Sequence, residues 1–109
     1  MKTKREKRKY DLTNDLTTPQ WNHCLWYFDH VCCVCGSTLF IEGDHWIARS
    51  RGGSSGLDNI VPMCRCCNLE KGASPVMGWL IFKFKSIVMA RAITANVEQY
   101  FREAREKTQ

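Results

Sequence analysis

Two cysteine pairs, Cys32-x-x-Cys35 and Cys64-x-x-Cys67, constrain this chain more than any other feature. Two thiolates three residues apart on a tight turn chelate one ion, and two such turns close a tetrahedral site. Thiolates favour a soft or borderline cation, so the expected occupant is a structural zinc. Such an ion clamps the two ends of the 28 residues between the pairs, adding stability that a 109-residue chain is short of. Cys33 and Cys66 lie close enough to compete. Cys32, Cys35, Cys64 and Cys67 are preferred because both pairs then have two intervening residues. The seven cysteines are odd in number and tightly clustered, which fits metal binding in the reducing cytosol better than a disulfide framework.

Charge sorts the chain into two parts. The net charge is +5, and residues 1–10 hold six basic side chains against one acid, so the remainder balances to zero. Residues 1–12 therefore read as a basic, flexible arm, in which Lys4, Arg5, Lys7, Arg8 and Lys9 can attract a polyphosphate backbone without reading sequence. Residues 13–109 read as one domain, with a core at 32–72 and C-terminal helices over 75–107. No hydrophobic signal follows the basic start, and Lys83, Lys85 and Arg91 interrupt the one long apolar stretch. Neither a signal peptide nor a membrane span is expected, and the cytoplasm of a bacterial or phage-infected cell is the expected location.

The coarse element pattern is mixed. "TTPQWNHCLWYF" predicts a helix capped by Thr18, with Pro19 in its first turn and Trp21, Cys24, Leu25 and Phe28 on its core face. "STLFIEG" predicts a strand, "DHWIA" its returning partner, and "RSRGGSSGLDN" a loop. "NIVPM" is a short extended piece, and the second cysteine pair opens a short helix stopped by Gly72. Beyond Pro75 the chain is helical, with Trp79, Leu80 and Phe82 in the core. The alternation "FKFK" leaves a brief strand open as the alternative.

Between the knuckles lies "EGDHWIARSRGG". Asp44 and Asn68 offer hard oxygens suited to Mg²⁺ or Mn²⁺, and His45 an imidazole able to take a proton from water. Adjacent strand residues point to opposite faces, so Asp44 and His45 converge only if the backbone bends near Gly43.

The ordered set "CCVCG…GDHWIARSRGG…DNIVPMCRCCNLEKG" resembles the HNH endonuclease family over residues 32–72. The upstream "LTTPQWNHCL" is similar to the helix that precedes the first knuckle in small, often phage-encoded members. The resemblance implies an α+β fold: a small ββα-metal core stapled by a structural zinc and flanked by N- and C-terminal helices. It implies a metal-dependent endonuclease acting on DNA, leaving 5′-phosphate and 3′-hydroxyl ends. In it His45 is the general base, Asp44 and Asn68 hold the catalytic Mg²⁺ or Mn²⁺, and Asn59 holds the loop and orients His45. Asn68 stands where the family name has a histidine. Lys71 either neutralises phosphate charge or is a solvated helix residue. Arg49 and Arg51, beside Gly52-Gly53, are candidate phosphate contacts. A homodimer and a phage packaging partner such as a terminase are further expectations. The competing reading is a non-catalytic zinc-knuckle module that binds nucleic acid or protein.

Overall fold

The computed structural model describes residues 16–107; the basic arm expected over 1–12, with Lys4, Arg5, Lys7, Arg8 and Lys9, lies outside them. Helix α1 spans Thr18–Tyr27. Its cap is Thr17, one residue earlier than expected, because Gln20 then stands three positions on and closes a reciprocal pair. Thr17 Oγ1 accepts from the Gln20 N–H at 3.2 Å, and Gln20 Oε1 from the Thr17 N–H at 2.9 Å. Such a cap contributes about 1 kcal/mol. Cys24 and Phe28 are buried, as the stripe predicts, while Leu25 and Trp21 are only half-buried. The helix stops where Asp29 and His30 take positive φ.

A two-stranded antiparallel sheet follows, β1 (Ile41–His45) against β2 (Ile60–Cys64). This corrects two expectations. The strand begins at Ile41, because Phe40 has positive φ and Leu39 and Phe40 are exposed rather than packed. The returning strand is "NIVPM", not "DHWIA": Asp44 and His45 belong to β1 itself and pair with Val61 and Ile60. Pro62 is tolerated because a two-stranded ribbon leaves each strand an edge that needs no donor. Its carbonyl still accepts from the Cys33 N–H at 2.9 Å, tying the first knuckle to β2. The intervening loop carries a short 3₁₀ turn, Arg49–Arg51.

Cys64 caps helix α2 (Arg65–Lys71), which Gly72 ends. Helix α3 (Val76–Phe84) absorbs "FKFK" as helix and closes on Lys85 in the left-handed conformation. Trp79 and Leu80 are buried, but Phe82 is 72% exposed, so it is not core; the Lys85 ammonium sits over its ring instead. Helix α4 (Ile87–Lys107) covers the core with Ala90, Val97, Tyr100, Phe101 and Ala104. Tyr100 packs among Tyr27, Phe28 and Phe101, joining α4 to α1. Burial of these side chains drives the assembly at roughly 25 cal/mol per Å² of apolar surface. Among the described residues no helix is long and apolar enough to cross a membrane. The whole is the small α+β arrangement expected, ribbon plus α2 flanked by helices, consistent with a ββα-metal fold.

Candidate active site and thiol cluster

The four preferred cysteines converge. One sulfur from each of Cys32, Cys35, Cys64 and Cys67 lies within 4.8 Å of the others, and all are free thiols. Cys35 and Cys64 sulfurs stand 3.6 Å apart. A tetrahedral zinc with ~2.3 Å bonds has sulfur–sulfur edges of about 3.8 Å, so the cluster fits a closed zinc site. The turns that build it also solvate it. Val34 and Cys35 N–H groups point at Cys32 Sγ, and the Cys67 N–H at Cys64 Sγ. Burial pushes the Cys67 thiol up, so binding a cation must drive its proton off. Cys24 is a separate matter: buried beneath Tyr100, it is pushed up to about 12. Cys66 is exposed and Cys33 half-buried, and neither belongs to the cluster.

The polar site occupies the other end of the ribbon. Pairing runs in unbroken register from Ile41–Cys64 to His45–Ile60, and Gly43 is not among the positive-φ glycines. The bend expected near Gly43 is absent, and Asp44 and His45 do point to opposite faces. Asp44 faces α2, where the Lys71 ammonium lies 3.3 Å from Oδ2. His45 faces the loop, its Nε2 at 3.1 Å from the Ser55 hydroxyl.

Of the two expectations for Lys71, the solvated helix residue is overturned. Only 1% exposed, it is no solvated residue, and its Nζ donates to the His45 carbonyl at 2.7 Å as well as to Asp44. It pins the end of β1 to α2. Burial raises the Asp44 carboxyl above its ordinary value, with the Lys71 charge pulling the other way. Asn68 sits one turn before Lys71 on the same helix and donates from Nδ2 to Glu42 Oε1 at 3.0 Å. Asp44 on β1 and Asn68 on α2 each carry an oxygen of the hard kind that Mg²⁺ or Mn²⁺ takes, and the contacts between the two elements pair Asp44 with Lys71 and Asn68 with Glu42.

Asn59 is buried and staples the loop. Its Oδ1 accepts from the Ile47 N–H at 2.9 Å, and its Nδ2 donates to the Ile47 and Ser54 carbonyls at 2.9 and 2.8 Å. Gly53 is dictated by the same fold-back, since a Cβ there would lie 1.8 Å from the Ile47 carbonyl oxygen. The glycines therefore serve the loop's own turn. Arg49 and Arg51 are exposed on it, and the Arg51 guanidinium also donates to the Ala73 carbonyl.

Sequence reasoning passed over Glu42 and Ser55. Glu42 stands two residues before Asp44, the strand period that shares a face, which was a usable signal. Ser55 carried none, because only the loop path brings it to His45.

Comparison with known proteins bears on this arrangement. Residues 32–74 match the HNH endonuclease family model, which spans both cysteine pairs and the polar site. The chain is 27% identical over 82 residues to the Bacillus subtilis (strain 168) protein named "SPbeta prophage-derived putative HNH endonuclease YoqL". That similarity covers 65% of this chain and 36% of the relative, so the chain spans about a third of that relative's length. No solved structure matches the chain significantly.

Proposed function

We propose that this chain is a DNA endonuclease in which His45 is the general base and Asp44 and Asn68 hold a catalytic Mg²⁺ or Mn²⁺. The observation that carries the reading is that the end of β1 bearing Asp44 and His45 is held between α2 and the Asn59-stapled loop, within the residues 32–74 that match the HNH endonuclease family. A hard cation bound there would withdraw charge from the phosphate and the leaving 3′-oxygen.

His45 takes the proton of the attacking water, and the Ser55 hydroxyl at its Nε2 holds the ring's attitude. Asn59 keeps the loop that carries Ser55 closed, and through it orients the base. Lys71 fixes Asp44 and the His45 backbone together rather than reaching for phosphate. Arg49, Arg51 and the basic residues Lys4, Arg5, Lys7, Arg8 and Lys9 contact the DNA backbone, a contribution that salt screens. Products carry 5′-phosphate and 3′-hydroxyl ends. Cutting both strands takes a homodimer or two successive events, and a role in phage packaging takes a docking partner such as a terminase.

The test is supercoiled plasmid incubated with zinc-loaded protein, with and without Mn²⁺ or Mg²⁺, followed by end analysis. Relaxation that requires the added cation supports the reading, and open-circle versus linear product separates nicking from double cutting. A zinc-loaded, folded protein that binds DNA and leaves it intact under all conditions is instead a binding module.

A further inference from the structure

We infer that Glu42 is a positioning residue that sets which end of the Asn68 amide faces the catalytic cation. The inference rests on the assignment of Asp44 and Asn68 as oxygen ligands. An amide has a right and a wrong way round for a cation: its oxygen attracts the ion, and its NH₂ of nearly equal size repels it. A carboxylate can only accept. Glu42 Oε1 at 3.0 Å therefore selects Nδ2 of Asn68 and leaves Oδ1 as the outward branch. Among the described residues no donor is bonded to Asn68 Oδ1.

Glu42 is itself held from the far side. Arg65 donates to Oε2 at 3.4 and 3.5 Å while its guanidinium lies over the Phe40 ring, 5.4 Å from the centroid. The Glu42 side chain is 15% exposed, so this carboxylate is not a freely swinging surface acid. Glu42 and Asp44 share a strand face, and Asn68 and Lys71 share a helix face one turn apart. The result is two rungs between β1 and α2, Glu42–Asn68 and Asp44–Lys71. This also accounts for the exposed Phe40, which supports the arginine that supports Glu42.

A carboxylate at position 68 has two equivalent oxygens and no wrong orientation, which gives the inference a specific signature. Mn²⁺ affinity is measured by the paramagnetic resonance of free Mn²⁺ on zinc-loaded full-length protein, with zinc content and helix content checked for each variant. Removal of such an outer partner weakens metal binding about tenfold or more, so Glu42→Ala should raise the Mn²⁺ Kd by that much. In an Asn68→Asp background the same removal should leave the Kd unchanged within about twofold, because orientation no longer matters. Glu42→Leu, which keeps the side chain's bulk, is measured alongside and should repeat both results. Equal weakening in the two backgrounds would make Glu42 a plain charge or a ligand and overturn the inference. So would an unchanged Kd in Glu42→Ala. Asp44→Ala separates the two levels: if it leaves Mn²⁺ binding intact, the ligand assignment falls and the inference with it. If it weakens binding and Glu42→Ala does not, only the inference falls.

Discussion

The Cys64 end of the β1–β2 ribbon and its His45 end differ in how far the protein alone completes them. At the Cys64 end four thiols crowd within 4.8 Å, three of them on buried residues, with little but each other and a few N–H groups for company. From Glu42 to the His45 end each polar side chain has a protein partner: Asn68 has Glu42, Asp44 has Lys71, His45 has Ser55, and Asn59 has the loop backbone. The sulfur end thus offers a set of ligands that a metal ion would complete, whereas the polar side chains are already closed on one another. Neighbouring residues of α2 serve the two ends, Cys67 one and Asn68 the other. A helix turns about 100° per residue, and that rotation alone separates the two chemistries.

The largest effect should come from breaking the sulfur end. Cys64→Ser, or zinc removal by a strong chelator, should abolish cooperative unfolding followed by circular dichroism, since structural zinc contributes on the order of 10 kcal/mol to folding. Next comes Lys71→Met, which leaves the buried Asp44 carboxylate without its cation and should cost about 3–5 kcal/mol in urea titrations at neutral pH. Its pH dependence has a definite sign. Burial raises the Asp44 pKa in the fold above its unfolded value, so this group's contribution to stability declines as pH rises from the unfolded value through the folded one. The Lys71 charge pulls that pKa down, so removing it raises the pKa further, and the deficit of the variant should narrow as the pH is lowered from neutral.

Asn59→Ala is the third test. Losing three bonds to the loop backbone should cost about 1–3 kcal/mol and speed hydrogen exchange at the Ile47 amide, with zinc retained. The smallest effect separates cysteines that the sequence could not rank. At pH 8 iodoacetamide should modify exposed Cys66 in the zinc-loaded protein and spare Cys24, whose thiol is pushed up to about 12. Between pH 9 and 12 the unfolded chain ionises that thiol first, so stability should decline across that window.

Much of this was legible in the residues themselves. The cysteine spacing carried the thiol cluster because a chelating turn has one workable geometry. The helices from Pro75 onward followed from the breakers ahead of them, Gly72 and Pro75, whereas the corner at Lys85 lay inside the stretch left open as a strand. The ribbon was misread because Glu42 and Asp44 are polar on the face where strand logic seeks core, and because Pro62 disguised a true strand. Phe82 was misplaced since an aromatic in a helix is core by default, and here a lysine covers it. Lys71 was undecidable from sequence, as no pattern announces a lysine buried against a carboxylate 27 positions away. The bend expected at Gly43 is absent because β1 pairs with β2 in unbroken register through it.

The division between the two ends meets its most direct test in His45→Ala. Zinc content, melting temperature and Mn²⁺-dependent plasmid relaxation are measured on one preparation of the variant beside wild type. The variant should keep its zinc and melt within a few degrees of wild type, while relaxation falls by at least about a hundredfold. Relaxation at the wild-type rate, or loss of zinc together with activity, would contradict it.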